Sequence, residues 1–274
     1  MQLVFFIFLF LSSVARAQAP DPCADCFPLE RLSPEDRARS EELLWKALDS
    51  EHLYTLAGGL KPMSGGALRL DFEVDKPELG AIEDARRVTR VWICNGEIRA
   101  TVHHFHTAFQ GKRSADLATF HLPSFGRMLR AKAAYFAPFG FTPSMDPMEA
   151  LMTVEMEQPS IRLRGQGYFF GYPDYAIDFF MQADERQRAG EKLVPRDFYS
   201  IPTHSRPERG FVYAVPKGHE ERPEDRELKE KAAVILAQYR KLKEKHKQPH
   251  LLLREWFNDG AGRCSPSTWK QSLE

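Results

Sequence analysis

Residues 87–109 read RVTRVWICNGEIRATVHHFHTAF, and the way this stretch folds decides what kind of sheet the chain builds. Asn95-Gly96 is the preferred pair for a two-residue type I′ turn, because both central residues of that turn need positive φ. A hairpin about it predicts Cys94 opposite Glu97, Ile93 opposite Ile98, Val91 opposite Ala100 and Thr89 opposite Val102. Side chains alternate across a strand. Val91, Ile93, Ile98, Ala100 and Val102 therefore form the expected core face, and Arg90, Trp92, Arg99 and Thr101 the other. Extended further, the same register sets Arg87 opposite His104.

Before this stretch, LRLDFEV (68–74) alternates apolar and charged residues, the pattern of a half-buried strand. GGLKPMSGG (58–66) must be a loop, since two glycine pairs and Pro62 do not hold a helix. In LSPEDRARSEELLWKALDS (32–50), Ser33 is positioned to cap, Pro34 fits the first turn, and Asp36 completes a capping-box pattern. Leu43, Leu44, Ala47 and Leu48 form its apolar stripe.

After it, helices are expected in PSFGRMLRAKAAYF (123–136), DPMEALMTVEM (146–156) and PDYAIDFFMQADERQRAG (173–190). A long amphipathic helix is expected in the segment from Pro223 to Pro249, with Leu228, Ala232, Ile235, Leu236, Tyr239 and Leu242 on one stripe. SIRLRG (160–165), FYSIP (198–202) and GFVYAV (210–215) read as short strands. The strands come in hairpin-like sets rather than βαβ units. The expected class is α+β: a mainly antiparallel sheet with flanking helices and a long amphipathic C-terminal helix.

At the N-terminus, Leu3–Leu11 is a run of nine apolar residues, followed by the small-residue pattern Ala15-Arg16-Ala17. The run suits a signal-peptide core and is too short to span a bilayer, although no Lys or Arg precedes it. The expected organisation is a signal peptide over 1–17, a Pro/Cys-containing leader over 18–32 and a single α+β domain over 33–274. Gln18 becomes the first mature residue. No second apolar run follows, so no integral membrane span is expected after cleavage, and the protein is expected to be exported, periplasmic or secreted. An oxidising compartment favours disulfides among Cys23, Cys26, Cys94 and Cys264. Four cysteines allow three pairings, and spacing does not choose among them.

Lys plus Arg and Asp plus Glu both number 38, so the net charge is zero, and a nucleic-acid partner is not expected. No cofactor is expected either. Gly165, Gly167 and Gly171 lie between an expected strand and an expected helix. Their spacing is G-x-G-x-x-x-G, and Pro173 starts the helix too late for a dinucleotide turn. There is no G-x-S-x-G and no H-E-x-x-H; the S-x-x-K match at Ser267–Lys270 lacks its partner motifs.

Two classes of function remain. One is non-catalytic binding of an unidentified small ligand or protein partner. Its candidate residues are Tyr168, Tyr172 and Tyr175 in an aromatic corner, with Lys61 and Ser64 in the glycine-rich loop, whose N–H groups can cradle an anion. The other is metal-assisted hydrolysis. His104 and His106 share one strand face, His103 points the other way, and Asp116 and His121 lie beyond a QGKRS turn as further ligands.

Overall fold

A computed structural model describes residues 21–208 and 210–267. The expected signal peptide, the expected start at Gln18 and most of the S-x-x-K match lie outside these residues. The fold is α+β with antiparallel sheets, as the strand grouping predicts.

Helix α1 (Pro34–Leu48) begins where the capping chemistry places it: Ser33 Oγ accepts the Asp36 N–H at 3.2 Å. A single turn, α2 (Leu53–Leu56), leads into the glycine-rich loop and the two-residue strand β1 (Met63–Ser64). Strand β2 (Arg69–Glu73) keeps Leu70 and Phe72 half-buried and Arg69, Asp71 and Glu73 exposed.

The arm before Asn95-Gly96 is not a strand. Gly80–Thr89 forms α3, with Ile82, Ala85, Val88 and Thr89 buried along one side. The turn itself is made: Asn95 has φ 45°, Gly96 has φ 71°, and Glu97 N–H donates to the Cys94 carbonyl at 2.7 Å. Pairing stops after one bridge, Cys94 to Ile98. Strand alternation therefore does not apply before the turn, so Trp92 is buried and Ile93 is 41% exposed. Arg87 sits on α3 and pairs with Asp36 and Asp84, far from the expected register with His104.

Strand β3 (Ile98–His104) pairs instead with β4 (Lys112–His121), whose residues follow it in sequence. Gln110 (φ 50°) and Gly111 (φ 75°) make the tight part of this connection, so most of the expected QGKRS turn is already strand. Thr119 pairs with both Ser64 and Ala100; β4 is therefore the centre of the sheet, with β3 on one edge and β1 and β2 along the other. Ile98, Ala100 and Val102 do face a core, as alternation predicts.

The two faces of this sheet meet two cores. Ala115 and Leu117 face the first, with α1–α3 and the buried leader residues Phe27 and Leu29. Ala118 and Phe120 face the second, built by α4 (Leu122–Ala131), α5 (Ala133–Phe136), α6 (Pro147–Met156), α7 (Pro159–Phe169) and α8 (Asp174–Arg188). Helix α7 replaces the expected strand at SIRLRG. Pro159 opens it, and its glycines serve helix packing rather than a turn: a Cβ on Gly165 would lie 2.8 Å from Val154 Cγ1, and one on Gly167 3.0 Å from Ile177 Cγ1. Strands β5 (Arg196–Ile201) and β6 (Phe211–Pro216) form a separate antiparallel pair against α8. The long helix α9 (Pro223–Lys245) buries the predicted stripe from Ala232 to Leu242 and leaves Leu228 partly buried; α10 (Pro249–Phe257) follows it.

Disulfides join Cys23 to Cys264 and Cys26 to Cys94. Among the described residues, no helix is long and apolar enough to cross a membrane.

Candidate ligand-binding site

A cavity of about 300 Å³ opens between α7, α8 and the β5–β6 pair. Phe170, Tyr172, Ile177, Phe198 and Tyr213 supply its apolar wall, and Gln166 supplies an amide. Phe198 stands at its mouth, 65% exposed. Local sequence builds the corner. Helix α7 ends at Phe169, Gly171 takes φ 73°, and Pro173 starts α8, so the chain reverses within four residues. A Cβ on Gly171 would lie 2.9 Å from Pro62 Cδ, so the aromatic corner packs directly against the glycine-rich loop.

Of the expected corner tyrosines, Tyr172 alone lines the cavity. Tyr168 packs on Tyr135 and Phe136 in the second core, and Tyr175 donates its hydroxyl proton to Asp225. The loop residues lie behind the cavity wall rather than on a surface. Lys61 is fully buried, ion-paired with Glu51, and its Nζ lies 4.1 Å from the Phe211 ring centre. Burial lowers its pKa, and the Glu51 carboxylate works against that shift. Ser64 is buried too, its hydroxyl 2.7 Å from Thr55 Oγ1. The loop does cradle an anion, but that anion is internal: Gly66 N–H donates to Asp116 at 2.8 Å. Burial raises the Asp116 pKa to about 6. Burial and the Lys61 charge hold His52, bonded to Thr119 Oγ1 at 2.8 Å, down at about 3.

A second, polar hollow of about 460 Å³ adjoins the cavity across Leu163 and Gln166 of α7. Arg69 and Asp71 of β2, Lys112 and Ser114 of β4, Glu155 of α6 and Arg162 of α7 line it. Alternation predicts a polar face for β2, and this face floors the hollow. Most of its charges are engaged. Arg69 donates to Ser114 Oγ at 2.7 Å, and Lys112 pairs with Glu73 at 3.2 Å. Glu155, 2% exposed, accepts the His106 N–H at 2.8 Å and the Gln166 amide at 2.7 Å.

No known protein family, curated protein or solved structure matches this chain.

The expected metal ligands are spread through the fold. His104 lies opposite Ala115 on the sheet face that meets the first core and packs edge-on against Phe72, at 5.9 Å between ring centres. His106 is exposed beyond the end of β3. Asp116 is opposite His103, on the other sheet face. His121 ends β4 beside Ile98 and is bonded to Ser124 Oγ at 2.7 Å. Among the described residues, the one set of three ligand-type atoms within 4.8 Å of one another is the sulfurs of Cys26, Cys94 and Cys264, all in disulfides.

Phe198, Gln166 and Arg162 were not among the residues singled out from sequence. Phe198 had a signal: in FYSI, Tyr199 and Ile201 point inward, so alternation turns Phe198 out, an apolar ring where a polar one is ordinary. Gln166 and Arg162 had none once SIRLRG was read as a strand.

Proposed function

We propose that this chain is an exported, disulfide-stapled domain that binds a small ligand in the aromatic cavity without transforming it. One observation carries the reading: the open cavity of about 300 Å³ is lined mostly by aromatic and aliphatic side chains. That size lies at the lower end of small-molecule sites, and an apolar wall with a few fixed polar groups is their usual composition. Two disulfides and the apolar N-terminal run support export.

A neutral apolar fluorophore, N-phenyl-1-naphthylamine, tests the cavity. It is expected to bind the wild-type domain at one equivalent, with its emission enhanced. In Ala214→Trp, whose new ring fills the cavity from β6, binding is expected to vanish while the circular dichroism is kept. Equal binding by both proteins, or none by the wild type, overturns the reading. Export is checked by N-terminal sequencing of the protein from its host, which is expected to begin near Gln18.

A further inference from the structure

Among the described residues, one cation lining the hollow beside the cavity has no side-chain partner. Arg162, half-buried on α7, makes no side-chain hydrogen bond, ion pair or ring contact among the described residues. Its neighbours differ. Arg69 has Ser114 and Asp71, Lys112 has Glu73, and each oxygen of Glu155 accepts one N–H. A guanidinium is a planar fork suited to two parallel hydrogen bonds from a carboxylate. Arg162 is one helical turn from Gln166, which lines both spaces, and Leu163 lies between them in sequence and also lines both.

We propose that the cavity and the hollow form one site for a single-chain amphipathic carboxylate, with its hydrocarbon chain in the aromatic cavity and its head on Arg162. This rests on the cavity reading above. A methylene occupies roughly the liquid volume of a water molecule, ~30 Å³, so a cavity of about 300 Å³ takes on the order of ten carbons. The ligand is thus a medium-chain fatty acid or a carboxylate of similar shape. Phe109, 74% exposed at the tip of the β3–β4 hairpin, lines the hollow and gives the entrance an apolar edge. Glu155 is the group that opposes an anion. Each of its oxygens accepts one N–H, from His106 and from Gln166, which partly offsets its charge, and Arg162 is the open cation of the hollow.

Displacement of N-phenyl-1-naphthylamine at neutral pH by decanoate, decanol and decylamine tests the proposal. Decanoate is expected to compete about tenfold more strongly than decanol, the scale of one charge-assisted contact. In Arg162→Gln the two should compete within about twofold of each other, with the fluorophore binding as in the wild type. Equal competition by decanoate and decanol in the wild type overturns the head-group assignment and leaves the cavity reading standing. Stronger competition by decylamine overturns it too and makes Glu155 the governing charge. Absence of fluorophore binding, by contrast, is a failure of the cavity reading itself.

Discussion

Two regions of this molecule are dense in charged and phenolic side chains, and they are finished differently. Around Asp225, at the start of α9, every acceptor is filled. Oδ1 accepts from Tyr213 at 2.6 Å and from Tyr175, and Oδ2 faces His219 Nε2 at 2.8 Å and the Arg222 N–H at 2.9 Å. The Arg222 guanidinium lies 4.0 Å from the centre of the Tyr175 ring. This knot ties α8, β6 and α9 together and has no capacity left over. In the hollow over β2 and β4, Arg162 has no side-chain partner among the described residues. A satisfied polar network rigidifies a fold, and an unsatisfied one is where a ligand finds free energy to gain. The accounting of partners, not residue type, separates the hollow from the knot.

That contrast has measurable consequences. Removing the acceptor in the knot is expected to cost most. Asp225→Ala strands the buried Tyr213 hydroxyl and is expected to destabilise by about 3–5 kcal/mol in chemical denaturation. A loss below about 1 kcal/mol would reduce the knot to a surface cap.

The two buried carboxylates are expected to give opposite pH slopes. At Asp225, burial works to raise the pKa, and the hydrogen bonds from Tyr175, Tyr213, Arg222 N–H and His219 together outweigh it, so the net shift is downward. Its contribution to stability is present above the unfolded carboxylate value of about 4 and is lost as the pH falls through the lower folded value. At Asp116, burial wins and the folded pKa rises to about 6. The folded state then binds the extra proton, so stability is greatest below about pH 4 and declines as the pH rises through about 6. Asp116→Asn, which keeps an acceptor for Gly66 N–H, is expected to remove about 2–3 kcal/mol of that decline between pH 4 and pH 7. An unchanged slope in the variant would assign the decline to other groups.

Smaller effects follow at the surface. Gly96 has φ 71° and open space where a Cβ would sit, so Gly96→Val carries a conformational cost without a clash, about 1–2 kcal/mol in the denaturant midpoint. A midpoint equal to the wild type would contradict the turn. Arg162→Gln, whose side chain leaves no partner behind, is expected to move stability by less than about 0.5 kcal/mol. A large loss there would mean that Arg162 supports the fold, and the contrast with Asp225 would collapse.

Short-range signals are legible where the signal and the outcome share a few residues. Ser33 and Pro34 start α1, Pro147 and Pro173 start α6 and α8, and Asn95-Gly96 bends as its backbone preference requires. The stripe on α9 and the alternation in β2 are legible for the same reason. The departures from local preference share a cause. The stretch from Arg87 to Trp92 and the SIRLRG segment are short mixed runs in which β-branched residues suggest strand; burial of Val88 on α3 and the glycine contacts of α7 with Val154 and Ile177 override that preference. Strand β4 was obscured by its own chemistry, since Ser114, Asp116, Thr119 and His121 are polar yet all buried. Ser114, Asp116 and Thr119 have partners from distant segments, Arg69, Gly66 and His52, and His121 meets Ser124 three residues on.

The chain's own chemistry, taken position by position, sets the α+β class, the helix starts, the turn at Asn95-Gly96 and the aromatic content of the 168–180 segment. These depend on backbone preference and periodicity, which act over a few residues. Which strand lies beside β3, which cysteines pair, and which of Tyr168, Tyr172 and Tyr175 faces a cavity depend on contacts between segments up to 241 residues apart. Such contacts are chosen by the burial and hydrogen bonding of the whole fold, and no local pattern carries them. Arg162 belongs to this second kind. Nothing near it in the chain distinguishes it from Arg164, two residues on, yet Arg164 meets Asp178 at 2.7 Å, and the Arg162 guanidinium has no partner among the described residues.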